Sequence, residues 1–152
     1  MSVDRPTVVI DRPLTDVFAF IADLDKAPQW APQMGEIVQR SGPVAEGMSF
    51  GEVRRLLGRR TLARWTFAHF VPERLIELRL EWGPLRGEFA YHFEAAGASA
   101  TRITQDLALH LAGPLAPLSG LMTGEARKEE ARELTRLKGL LEIGRASCRE
   151  RV

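Results

Sequence analysis

The chain has 152 residues, 45% of them hydrophobic and 27% charged, the size and balance of one globular domain that buries its core without disulfides or metals. Basic and acidic residues number 21 and 20, which excludes the strong basic excess of a nucleic-acid binder. No run reaches the roughly 18 apolar residues needed to cross a bilayer, and the charged start MSVDRPTVVID lacks a signal peptide's apolar stretch, so stable membrane insertion is not expected and a cytoplasmic location is.

Residues 6–10, PTVVI, form a short β-branched run, and Asp11 is placed to cap a helix that has Pro13 in its first turn. Leu14, Val17, Phe18 and Ile21 recur at helical spacing, so one face of residues 13–23 is buried. Asp23 to Trp30 reads as a second short helix broken by Pro28 and Pro32.

From Gly35 to Leu111 the period becomes two, with turn signals at Ser41-Gly42-Pro43, Gly58, Val71-Pro72, Gly83-Pro84 and Ala96-Gly97. This predicts six strands in a meander. Gly87, Phe89, Tyr91 and Phe93 point one way, as do Ile76, Leu78, Leu80 and Trp82, and Ile103, Gln105, Leu107, Leu109 and Leu111, while charged residues alternate with them. After Gly113-Pro114 the period returns to helical. Leu118, Met122, Ala126, Leu134, Leu137 and Leu141 share a stripe, and Glu125 with Lys128, Glu129 with Arg132 and Glu133 with Arg136 read as a solvated opposite face. The fold class expected is α+β: about seven antiparallel strands in a curved sheet wrapped on one long C-terminal helix, with two short helices after the first strand.

The end of the chain stands apart. Glu142 to Val152, EIGRASCRERV, can be back-translated into a sequence that resembles read-through into a common sequencing adapter, as a fragmentary environmental assembly would produce, the competing reading being a genuine disordered basic tail. The expectation is one domain over residues 1–142 and a non-native tail over 143–152, with Gly144 interrupting the helix. The tail holds the one cysteine, Cys148, and without it the chain carries 18 basic and 19 acidic residues. Cysteine chemistry is thereby excluded from the remainder.

The segment VVIDRPLTDVFAFIADLDKAPQW, in which an apolar strand, a helix and a tryptophan follow at this spacing, resembles the opening of the START-related superfamily of polyketide cyclase/dehydrase-like and pollen-allergen-like helix-grip proteins. GEIVQRSGPVAEGMSF, where a glycine precedes the third strand, WTFAHFVPERLIEL and ATRITQDLAL are similar to later pieces of that family, and the likeness extends over residues 5–142. The resemblance implies a helix-grip fold and a ligand cavity between sheet and helix. Superfamily members bind lipids, polyketides, hormones or isoprenoids, or catalyse reactions in that cavity, so fold is specified and activity is not.

A curved sheet and a helix cannot fill the space between them with ordinary side chains. The lining expected is Trp65, Phe67, Leu78, Leu80, Phe89, Tyr91, Leu107 and Leu109, with Met122 and Ala126 from the helix and Gln105 as an inward polar group. His69, Tyr91, Glu52 and Arg54 share inward phases and are the acid/base candidates: His69 or Glu52 would take a proton while Tyr91 or Arg54 steadies an enolate. The competing reading has His69 reaching solvent before the Pro72 turn and Glu52 with Arg54 as a surface ion pair. The function expected is binding of an apolar small molecule, the alternative a cofactor-independent cyclase or dehydratase. No cofactor or metal is expected, since His69, His92 and His110 sit on different strands, nor a nucleic-acid partner; a monomer or a homodimer is equally consistent. A protein-interaction module would instead expose an apolar patch above about 600 Å².

Overall fold

The computed structural model describes residues 5–150, with side chains described as far as Ile143. Seven strands, β1 (Thr7–Ile10), β2 (Ile37–Val38), β3 (Ser49–Leu56), β4 (Arg59–Val71), β5 (Leu75–Trp82), β6 (Leu85–Ala95) and β7 (Thr101–Leu111), form one sheet. Its order is β1-β7-β6-β5-β4-β3-β2, and every pair is antiparallel. Helix α1 (Leu14–Ala22), a 3-10 turn over Leu24–Lys26 and α2 (Ala27–Trp30) join β1 to β2, and α3 (Ser119–Glu150) follows a 3-10 turn over Gly113–Leu118.

Alternation along the strands decides which face is buried. On β6, Leu85, Gly87, Phe89, Tyr91 and Phe93 are buried while Arg86, Glu88, His92 and Glu94 are exposed. On β7, Ile103, Gln105, Leu107 and Leu109 are buried. The concave face then receives α3, whose Leu134, Leu137 and Leu141 are almost wholly buried, each contributing about 1.5–3 kcal/mol of transfer free energy. Aromatic edges lock α1 to the sheet: Phe18 meets Phe70 at 5.5 Å and Phe93 at 5.0 Å between ring centroids, both in edge-on geometry.

Three local expectations are corrected. Asp11 does not occupy the cap of α1; Pro13 does, without a side-chain cap, and the Asp11 amide donates instead to Glu142 Oε2 at 2.8 Å. Pro28 does not break a helix but sits in the first turn of α2, where the missing N–H costs nothing. Gly144 does not interrupt α3, which continues to Glu150; a single glycine costs only about 1 kcal/mol in a helix of that length. Cys148, Arg145 and the other side chains beyond Ile143 lie outside the described ones.

Two glycines are demanded by geometry. A Cβ on Gly35 would lie 1.7 Å from the Val53 carbonyl oxygen, so only glycine lets the chain enter β2 this close to β3. Gly47, which precedes β3, has φ +88°, a conformation that favours glycine, and its amide donates to the Phe67 carbonyl at 2.8 Å.

Candidate functional site

The sheet and α3 part toward one end of the molecule, leaving a cavity of about 490 Å³. Small-molecule sites occupy roughly 300–1,000 Å³. Its wall takes in Trp65 and Phe67 of β4, Leu78 and Leu80 of β5, Phe89 and Tyr91 of β6, Leu109 of β7, and Met122 and Ala126 of α3. Gln105 and Leu107 do not belong to the cavity wall; both are buried in the core beside it. Gln105 is the cross-strand neighbour of Tyr91, and among the described residues neither of its amide atoms reaches a hydrogen-bond partner.

His69 is placed outside. The β4–β5 register shifts between Phe67 and His69, a bulge that pairs His69 with the outward Glu77 and returns the inward phase to Phe70, opposite Ile76. The imidazole is more than half exposed and lies 3.6 Å from Glu46, so it cannot serve as a base in the cavity.

Glu52 is fully buried, yet its carboxylate is spent on structure. Oε1 accepts from the Trp65 indole at 2.8 Å and faces Arg54 Nε at 3.0 Å, and Oε2 accepts from the Gly35 amide at 2.8 Å. The pair with Arg54 is thus no surface bridge, and Glu52 is absent from the cavity wall. Arg54 does line the cavity, with its guanidinium 5.6 Å from the ring of Trp82, in the range of a cation–π contact.

Tyr91, like Arg54, reaches the cavity, and its partner is a carboxylate of α3. Its hydroxyl donates to Glu130 Oε2 at 3.0 Å, and Glu133, one helical turn on, is buried against Glu130. Both carboxyls line the cavity. Burial raises Glu130 to about 7, and burial together with the Glu130 charge raises Glu133 to about 9. Burial, followed by the charges of Glu130 and Glu133, pushes the Tyr91 phenol well above its ordinary value. At neutral pH the pair therefore holds at least one proton, and the arrangement is a phenol, a carboxylate acceptor and a carboxylic acid donor in an otherwise apolar wall.

The expectation that Glu133 belongs to a solvated face is overturned. Glu125 and Glu129 do form the i,i+3 ion pairs with Lys128 and Arg132, at 3.3 and 2.7 Å. Arg136, however, donates to the Trp30 carbonyl at 3.3 Å, and Glu133 turns inward. Also unforeseen in the wall are Ile21, Leu24, Ala27 and Trp30, from the helical segment that closes one side, and Met34 from the stretch that leads on to β2. The indole nitrogen of Trp30 is buried without a partner among the described residues, and its ring meets Tyr91 edge-on at 6.3 Å.

The family model described as polyketide cyclase / dehydrase and lipid transport matches residues 5–142. The chain belongs to that family. Among solved structures, this polyketide cyclase/dehydrase and lipid transport family member is similar to a START superfamily protein from Mycobacterium smegmatis, at 16% identity and a TM-score of 0.69, over 92% of this chain and 97% of that one. It is similar to Ara h 8.0201 at 14% identity and a TM-score of 0.70, over 92% and 97% of the two chains. The di-domain ARO/CYC BexL from the BE-7585A biosynthetic pathway matches at 15% identity and a TM-score of 0.70, over 93% of this chain and 47% of that one. At such identities the likeness is one of fold, the seven-stranded sheet gripping a long helix. No curated protein matches the chain.

Proposed function

We propose that the protein binds an apolar small molecule bearing one polar group, the hydrocarbon against the aromatic and aliphatic wall and the polar group against Tyr91, Glu130 and Glu133. The observation that carries this reading is the cavity itself: about 490 Å³ of space, bounded chiefly by apolar side chains, with its buried hydrogen-bonding groups gathered at one place. An empty apolar cavity of that size forfeits the packing its lining would otherwise gain, a cost that an occupant removes. Lipid, polyketide and isoprenoid-like molecules are the classes that match this volume and polarity.

Native mass spectrometry of protein purified from cells tests the reading. A retained adduct of lipid-like mass, lost on organic extraction, is the expected result; a clean apoprotein that takes up none of these classes on titration contradicts it.

A second reading, cofactor-independent cyclisation or dehydration, is favoured by one observation, the proton-sharing carboxyl pair at the cavity wall. Glu130 would accept a proton from an activated carbon, and the acid form of Glu133 or the Tyr91 phenol would donate a hydrogen bond to the resulting enolate oxygen. Here His69 and Glu52 have no part, because one lies outside the cavity and the other is consumed by Trp65, Gly35 and Arg54. A linear poly-β-keto thioester cyclised faster by the wild type than by Glu130→Gln supports this alternative. Equal rates for both proteins, matching the spontaneous reaction, remove it.

A further inference from the structure

The turn between β3 and β4 reads Arg-Arg-Leu-Leu-Gly-Arg-Arg, residues 54–60, and binding a ligand in the cavity makes no use of it. Leu57 and Gly58 have φ +51° and +79°, the pattern of a tight type I′ hairpin, whose first central position favours asparagine, aspartate or glycine. A leucine there carries a conformational cost, and this one gains no burial in return, being 96% exposed. Beneath it Arg55 stands directly opposite Arg60, a like-charge cross-strand pair that destabilises a hairpin. Arg55, Arg59 and Arg60 are exposed, and among the described residues none of them has an ion-pair partner. A strained apolar tip and an unneutralised cationic collar are both unfavourable in water. Both become favourable at a surface with an apolar interior and an anionic rim.

The placement of the hairpin fits the same surface. Residues 59–63 of β4 lie beyond the last β4–β5 pair, Arg64 with Glu81, so at about 3.3 Å per residue the tip projects well past the body of the sheet. In this antiparallel order the β5–β6 turn, the end of β7 and the start of α3 lie at that same end. There Leu115, Leu118 and Leu121 are 49%, 46% and 67% exposed. Leu121 also lines the cavity, as do Arg54 and Trp82, so the cavity reaches the surface between the hairpin and the helix start.

We propose that this end of the molecule docks on the surface of an anionic lipid bilayer, with Leu57 entering the interface, Arg55, Arg59 and Arg60 on the phosphates, and the cavity mouth facing the membrane. Docking of this kind is peripheral: no helix among the described residues is long and apolar enough to cross a membrane. It goes beyond the reading of the cavity as a ligand site and is measured separately from it.

Flotation with vesicles of phosphatidylcholine alone, and of phosphatidylcholine mixed with an equal part of phosphatidylglycerol, tests the proposal on the full chain. The wild type is expected to float with the anionic vesicles, to be released by high salt, and to leave the neutral ones unbound. Arg55→Ser/Arg60→Ser should weaken binding by roughly 10- to 30-fold, the scale of two basic groups at an anionic surface. Leu57→Asn should weaken it too while raising Tm, since asparagine suits the left-handed position; a loss of binding in a more stable protein cannot be misfolding. Absence of binding to anionic vesicles, equal binding to neutral ones, or insensitivity to both variants overturns the proposal. So does arginine-dependent capture of duplex DNA by a protein that ignores vesicles. Uptake of the apolar dye Nile red, followed in parallel, should be unchanged in both variants, and its failure with vesicle binding intact would count against the cavity reading alone.

Discussion

Glu52 and His69 show how two residues of the same apparent phase come to opposite fates. Glu52 sits where β3 passes Gly35 and β4, and three donors converge on its carboxylate. Removing it orphans the Trp65 indole and the Gly35 amide together, so Glu52→Ala should cost about 2–4 kcal/mol and be read as a Tm drop of at least about 4 °C. His69→Ala, at an exposed position, should change stability by less than about 0.5 kcal/mol and leave ligand uptake untouched. A large effect on uptake would mean that the imidazole turns inward after all. Period-two reading places His69 inside because it has no means of seeing a bulge: one added residue reverses every side chain beyond it.

At the scale of elements, α3 explains why the sheet was more legible than the helix. Strand faces declare themselves by alternation, and Phe89, Tyr91 and Leu109 were readable from that alone. On α3 the apolar stripe runs Met122, Ala126, then Leu134, and the seat between them at four-residue spacing belongs to Glu130. A glutamate in phase with an apolar stripe was the available signal for the polar corner of the cavity. It was masked by Glu133, whose spacing to Arg136 looks like a surface pair. The consequence is measurable. Both carboxyls have folded values raised above the ordinary one, so the folded protein holds protons that the unfolded chain has released. Their contribution is fully present below about pH 4.5 and is lost as pH climbs through about 7 and then 9. Tm should therefore fall between pH 6 and pH 9, by more than about 4 °C, and Glu133→Gln should flatten the decline. A wild-type Tm that rises or stays level over this range contradicts the buried pair.

For the whole molecule, strand count, sheet-on-helix architecture and family were all carried by periodicity and by the residue order of the opening segment. The cavity wall was legible in part, since its strand side follows from phase. Trp30 and Met34 were not, because their approach depends on how the short helical segment folds over the sheet, which no local pattern encodes. The last long-range anchor in the described side chains is Glu142, which accepts from the Asp11 amide, and Ile143 beyond it is 66% exposed. Deleting residues 143–152 is expected to shift Tm by less than about 4 °C, the equivalent of roughly 1 kcal/mol; a larger drop would make the extension of α3 structural.

If an apolar molecule occupies the space between sheet and helix, filling that space must exclude it. Ala126 lines the cavity from α3, and Ala126→Trp adds an indole to its wall. Nile red titrated into the wild type should bind one molecule per chain with blue-shifted emission, and the variant should lose most of that binding while keeping its circular dichroism spectrum. Dye uptake that is absent from the wild type, or equal in a folded Ala126→Trp protein, would mean that no apolar molecule is held between sheet and helix.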